Sequence, residues 1–180
     1  MDPRFRGEHT YKVDKKGRLS IPADFRRVLE TGDPAWAEGL RPNLVLVYGG
    51  ADNRYLEGYT VAAADARAEK IERLPESNLR RRLIRQYISK SIPIQIDPDG
   101  RLVIPQRYRD MIGLELEANA VFVGTLGTFQ VWSEEQYEDY LDENEADEDL
   151  GFGLAPGTNP LDALDMVLAQ QALQPKPEAG

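Results

Sequence analysis

Two stretches of the chain alternate polar and apolar residues with a period of two: His9-Thr10-Tyr11-Lys12-Val13 and Ile92-Pro93-Ile94-Gln95-Ile96. That period, with β-branched residues at the apolar positions, predicts strands buried on one face. Each is followed by a four-residue turn closing on glycine, Asp14-Lys15-Lys16-Gly17 and Asp97-Pro98-Asp99-Gly100. Glycine takes a backbone angle there that other residues resist. Short second strands, 18–21 and 101–104, lead out to Pro22 and Pro105, which suit the first turn of a helix. The pattern then changes to i, i+3, i+4, with Phe25, Val28 and Leu29 in one place and Tyr108, Met111 and Ile112 in the other. This spacing predicts two helices with one buried stripe each, stopped by Gly32 and Gly113. A hairpin is expected after each helix, 44–48 with 55–56 and 120–124 with 129–132.

Between these segments the pattern is helical. Residues 61–74 are alanine-rich, Pro75 interrupts, and 77–89 resumes with Leu79, Leu83, Ile84, Tyr87 and Ile88 on one side. Arg80, Arg81, Arg82 and Arg85 fall on the other, a solvated face or subunit contact more than a nucleic-acid surface. A last helix is expected to open at Ser133, with Gln136 completing a capping box and Trp132 stapling against Tyr137. Its stripe would be Tyr137, Tyr140 and Leu141. Residues 142–149 hold six acids in eight positions and precede a Gly/Pro-rich stretch, so a mobile linker is expected. A short helix follows at 161–173, capped by Asn159 with Pro160 in its first position.

The two patterned segments are copies. Asp14, Gly17, Arg18, Leu19, Ile21, Pro22 and Arg26 recur 83 residues later as Asp97, Gly100, Arg101, Leu102, Ile104, Pro105 and Arg109. Seven identities at one constant offset mark an internal repeat. The expected organisation is a first repeat at 7–54, a helical insert at 55–90, a second repeat at 91–134, a terminal helix at 135–141 and an acidic tail at 142–180.

Charge divides along the same lines. The formal net charge is −9, but residues 1–132 carry 21 basic against 18 acidic side chains, a net of +3. Residues 133–180 carry 13 acids and one base, Lys176, a net of −12. A mildly basic body with an acidic tail is an asymmetry often found in proteins that meet nucleic acid or a basic partner.

The absence of cysteine removes disulfide scaffolds, thiolate metal sites and cysteine nucleophiles, and the single histidine, His9, leaves no two-histidine site or serine–histidine pair. Asp97-x-Asp99-Gly100 glances at a calcium loop, but Tyr108 stands where the twelfth-position acid is needed. Ser20 with Lys15 or Lys16 lacks an oxyanion hole or third partner. No metal, cofactor or catalytic residue is expected, and the expected class is not an enzyme. No apolar run reaches the roughly 18–20 residues of a membrane span, and no signal-like stretch opens the chain, so a cytoplasmic protein is expected.

The doubled Asp-x-x-x-Arg turn, with the opening Phe5-Arg6-Gly7-Glu8-His9 and the run Lys16-Gly17-Arg18-Leu19-Ser20-Ile21-Pro22, resembles the MraZ family of bacterial transcription regulators over about residues 4–141. The resemblance implies an α+β, β-rich fold. In it, two AbrB-type swapped-hairpin β-barrel units form an intrachain pseudo-dimer, with connecting helices and a flexible acidic tail. It also implies closed homo-oligomeric rings and binding of double-stranded DNA at direct repeats upstream of the division and cell-wall gene cluster. Members usually repress their own promoter and associate with the nucleoid. The implied DNA-binding turn residues are Asp14 with Arg18 and Asp97 with Arg101.

The residues support that reading physically. An arginine at the tip of a two-stranded ribbon can enter the major groove and grip guanine O6 and N7 with its fork. Asp14 and Asp97 would orient the forks by bidentate pairs, Gly17 and Gly100 shape the turns, and Lys15 and Lys16 add phosphate contacts. Pro98 and Asp99 replace those lysines in the second copy, which is expected to bind phosphate less well. Two other classes stay open: an antitoxin-like protein whose acidic tail neutralises a basic partner, and a hydrolase using paired carboxylates.

Overall fold

The computed structural model describes residues 4–48, 54–145 and 149–173. The chain divides into two compact units, Met1–Tyr137 and Glu138–Gly180.

The repeat is visible as two series of four strands: β1 (Glu8–Lys12), β2 (Arg18–Ser20), β3 (Asn43–Tyr48) and β4 (Tyr55–Thr60), then β5 (Ser91–Gln95), β6 (Arg101–Val103), β7 (Asn119–Gly124) and β8 (Phe129–Ser133). They do not form two separate sheets. Six strands make one antiparallel sheet in the order β1-β7-β8-β4-β3-β5, while β2 pairs with β6 in a two-stranded ribbon. Read from either end, the order exchanges every strand for its counterpart in the other repeat. Each opening strand pairs within the six-stranded sheet while its successor leaves for the ribbon, so the turn between them carries the chain from one sheet to the other. The molecule is thus an α+β, strand-rich pair of exchanged units within one chain. Its outermost strands are β1 and β5, and the edge position of β5 accommodates Pro93, which has no ladder N–H to give.

Beside a smaller cluster of Val121, Trp132 and Tyr137, both repeats fill the main core. Leu19, Leu29, Leu44, Leu46 and Leu56 meet Leu102, Ile104, Ile112 and Leu114 there, all essentially inaccessible. At one end Phe5, Phe25, Phe122 and Phe129 cluster, with Phe25 centroids 5.2, 6.1 and 5.5 Å from the other three. Gly58 lies opposite Phe129 in the β4–β8 ladder, and a side chain there would collide with that ring.

Helix α1 (Ala23–Thr31) buries Phe25, Val28 and Leu29, as its stripe predicts. Its counterpart α4 (Gln106–Met111) is a turn shorter, and of the predicted Tyr108, Met111 and Ile112 only Ile112, just past the helix, is fully buried. Pro22 and Pro105 stand one position before the helices rather than inside them. Each keeps an extended ψ, and its carbonyl accepts from Arg26 or Arg109. The segment expected as a helical insert from residue 55 opens as strand, because β4 completes the first hairpin. Helix begins at α2 (Val61–Glu72), capped by Thr60, and resumes at α3 (Asn78–Ile84), capped by Ser77 and prolonged by a π-helical turn at Arg85–Ser89. Arg80 does not join a uniform solvated face: it is mostly covered and pairs with Glu76.

Helix α5 (Glu134–Glu145) starts on the Ser133 hydroxyl, which accepts from the Gln136 N–H at 3.4 Å, and Trp132 packs against Tyr137 at 5.6 Å. The Gln136 side chain does not complete a capping box; it accepts from Arg54 Nε at 3.0 Å. The stripe also ends early, with Tyr140 and Leu141 40 % and 45 % exposed. Acids 142–145 continue this helix rather than forming a linker, and 146–148 lie outside the described residues. In the second unit α6 (Pro160–Leu173) exposes Leu161, Leu164, Met166 and Leu168. Lys176 and the rest of the tail lie outside the described residues.

Candidate nucleic-acid interface

The β2–β6 ribbon holds the candidate site. Its register places Arg18 opposite Val103, Leu19 opposite Leu102 and Ser20 opposite Arg101. Directly opposed residues share a face and successive residues alternate faces. Leu19 and Leu102 therefore point together into the core, while Arg18, Ser20, Arg101 and Val103 share the outer face. Two further bonds lock the turns across the pseudo-twofold, Ile21 N–H to the Gly100 carbonyl at 3.1 Å and Ile104 N–H to the Gly17 carbonyl at 3.2 Å. The ribbon is thus built by both repeats, with one motif arginine in each strand.

Each turn is an aspartate-centred clasp. Asp14 Oδ1 accepts from the Lys16 and Arg18 N–H groups at 2.8 and 2.9 Å, and its Oδ2 accepts from Arg18 Nε at 2.5 Å. Asp97 repeats the scheme: Oδ1 accepts from Asp99 and Arg101 N–H, both at 2.9 Å, and Oδ2 from Arg101 Nε at 2.9 Å. Gly17 and Gly100 both sit at φ +75°, the left-handed region these turns require. The expected two-armed aspartate–arginine pair is a single-armed side-chain bond reinforced by backbone donors. That leaves the far end of the Arg18 fork, Nη1 and Nη2, without a bond to any described residue, at 32 % side-chain exposure.

Electrostatics follow the bonds. The Arg18 N–H, working against partial desolvation and helped by the Arg18 side chain and the Lys16 N–H, lowers Asp14 to about 2. Burial pulls Asp97 upward, but the bonds from Arg101 and Asp99 outweigh it and its pKa also ends below the ordinary range. Both aspartates are ionised at neutral pH and hold their arginines by charge as well as geometry. Arg101 is raised, first by its bond to Asp97, against burial, and further by the charges of Asp97, Asp99 and Asp14.

The two turns differ at two residues. Lys15 and Lys16 are exposed, so the first turn carries three cations against one acid, a net of +2. Pro98 and Asp99 occupy those places in the second turn, where two acids face one arginine, a net of −1. Asp99 does more than change the sign: its Oδ2 accepts from Arg101 Nη2 at 2.6 Å.

Sequence reasoning gave no role to Arg26 and Arg109, although their identity across the repeat was the available signal. Each reaches the glycine of the opposite turn, Arg109 Nε lying 3.3 Å from where a Gly17 side chain would begin and bonding the Ile104 carbonyl at 3.1 Å. Arg109 thus braces the first turn through that bond, while the Arg26 guanidinium lies close against Gly100.

The family model described as "MraZ protein, putative antitoxin-like" matches residues 4–84 and 89–150, one match for each repeat. The chain belongs to the MraZ family. It is 45 % identical over 152 residues to the transcriptional regulator MraZ of Ruegeria pomeroyi, covering 79 % of this chain and 90 % of that one. It is 45 % identical over 166 residues to the protein of that name from Ruegeria sp. (strain TM1040), covering 92 % and 97 %. The MraZ regulator of Parvibaculum lavamentivorans is more distant, 34 % identical over 134 residues, with 74 % and 78 % covered. Relatives in this family are thus named as transcriptional regulators, and the strand exchange between repeats places both copies of the repeated turn on one ribbon.

Other surfaces offer less chemistry. A cavity of about 220 Å³ beside Val45, Tyr59, Arg67, Tyr87 and Pro93 has one carboxylate in its lining, Asp65, and so does not hold the carboxylate pair that the hydrolase reading calls for. Among the described residues no group of three His, Asp or Glu could hold a metal ion, and no helix is long and apolar enough to cross a membrane.

Proposed function

We propose that this chain regulates transcription by binding double-stranded DNA in a sequence-specific way. The β2–β6 ribbon enters the major groove with Arg18 and Arg101 toward base edges, Asp14 and Asp97 orienting them, Gly17 and Gly100 shaping the turns, and Lys15 and Lys16 on phosphates. The single observation that carries this reading is the antiparallel pairing of β2 with β6, which gathers both motif arginines on the solvent face of a structure narrow enough for that groove. The target is a set of direct repeats in the chain's own promoter and the division and cell-wall gene cluster, and the outcome is repression by a nucleoid-associated protein of the cytoplasm. One ribbon makes few contacts, so closed homo-oligomeric rings supply avidity from several linked sites.

The test is fluorescence anisotropy against a duplex from the chain's own upstream region, titrated at several salt concentrations with scrambled competitor. Binding that survives competition and falls with salt supports the reading. Equal displacement by the scrambled duplex reduces it to a basic surface. A second reading, an antitoxin-like role for the acidic tail toward a basic partner, is favoured by the family description and by the apolar side chains that α6 exposes. Absence of any DNA binding would favour that second reading.

A further inference from the structure

The two clasps share their backbone bonds but not their arginines' freedom, and the difference is one side chain. A guanine grip needs two N–H donors presented together to O6 and N7. In the first turn Asp14 holds Nε of Arg18, and the residue two places before that arginine is Lys16, a cation that cannot accept a hydrogen bond. Nη1 and Nη2 of Arg18 stay available as a pair. In the second turn Asp97 holds Nε at 2.9 Å and Asp99 holds Nη2 at 2.6 Å, so two carboxylates fix the fork at two of its three nitrogens and more than offset its charge. Pro98 fixes its own φ, and the Asp99 N–H is tied to Asp97 Oδ1, so the backbone bearing the second carboxylate is held in place. Asp99 is 70 % exposed at the outer edge of the clasp, where an approaching phosphate would meet its negative charge.

We propose that Asp99 is a specificity-determining residue: it locks the Arg101 fork, so that a ribbon with a nearly twofold backbone reads DNA unequally, more strongly through Arg18 than through Arg101. This rests on the DNA-binding reading above and names what that reading leaves open. Arg18 supplies the stronger two-donor contact to guanine, and Arg101, held by two carboxylates, the weaker one.

The experiment uses the full chain and a fluorescein-labelled duplex from its own upstream region, with single base-pair substitutions across the site and anisotropy at one fixed salt concentration. The variants are Asp99→Asn, which keeps the shape and removes the charge, Arg101→Ala, and the two combined. Arg101→Ala alone is expected to weaken binding clearly less than Arg18→Ala does, because a fork held by two carboxylates contributes less. Asp99→Asn should tighten binding by about fivefold or more, the low end of a new bidentate base contact, and add a guanine preference at one further position. In the Asp99→Asn background, Arg101→Ala should remove that whole gain, a coupling that a merely structural role for Asp99 would not produce. If Asp99→Asn leaves affinity unchanged, or weakens it with loss of a preference for one cytosine whose amino group Asp99 accepts, the lock is overturned while the DNA reading stands. A parent chain that does not distinguish its own duplex from a scrambled one overturns both.

Discussion

The first and second repeats answer different demands on the same backbone. Their strands exchange places in one sheet, their turns carry matching aspartate clasps and glycines at the same φ, and each turn is bonded to the other repeat. Yet the first repeat anchors the aromatic end of the core through Phe25, with the cationic turn, while the second has a shorter helix, a half-buried Tyr108 beside Tyr48, and an anionic turn. Main-chain hydrogen bonds and a few apolar positions are enough to specify the pseudo-twofold. Everything outside them, the turn surfaces above all, is free to differ, and the proposed DNA chemistry lies in that free part.

The largest expected asymmetry is in stability. Phe25→Ala should cost about 3–5 kcal/mol, as for a fully buried ring among three others. Tyr108→Ala, half-buried, should cost clearly less; equal urea midpoint shifts for the two would show the core to be more symmetric than it looks. Next comes recognition, where Arg18→Ala should lose about 1–3 kcal/mol of preference for its own duplex over scrambled DNA with unchanged oligomer mass. A broken assembly or an unfolded chain would instead make that arginine structural. Gly17→Ala should destabilise by about 1–2 kcal/mol, since an L side chain resists the left-handed region, and Gly100→Ala by a similar amount. Thermal melts compare the pair. Smaller still, Lys15→Ala and Lys16→Ala should each flatten the log–log salt dependence of binding by about 0.9 for every phosphate that is no longer neutralised.

The last expectation concerns pH. Asp14 sits at about 2, below its ordinary 3.8, so its clasp adds stability that is fully present above about pH 4 and is lost as pH falls toward 2. Asp97, also lowered, acts in the same direction. Asp14→Asn should therefore reduce the acid sensitivity of the melting temperature in that window and leave it unchanged between pH 6 and 8. A variant that alters the neutral-range slope would contradict the assignment.

Local pattern made much of this legible. Period-two alternation found the opening strands, the i, i+3, i+4 stripe found α1 and its three buried residues, and the seven identities found the repeat. What it could not show is long-range choice. Nothing in β1 or β2 says that their partners are β7 and β6, because register is fixed by residues about a hundred positions away. Gln136 has the spacing of a residue committed to its own helix cap, but Arg54, 82 residues distant, offers a better donor. The acids at 142–145 read as too charged for order, yet Asp142 and Glu143 lie on the exposed surface of α5 and extend it without burying charge. At the ribbon, the residue types alone distinguish the two turns by charge. They do not reveal that Asp99 bonds Arg101 directly.

The most direct test exchanges the chemistry and keeps the scaffold. The chain and its Lys15→Pro/Lys16→Asp variant, which gives the first turn the second turn's residues, are titrated side by side by anisotropy against the upstream duplex with scrambled competitor. The parent is expected to keep its own duplex under competition, and the variant, equally folded by circular dichroism, to distinguish the two no longer. A variant that discriminates as well as the parent would contradict the central claim.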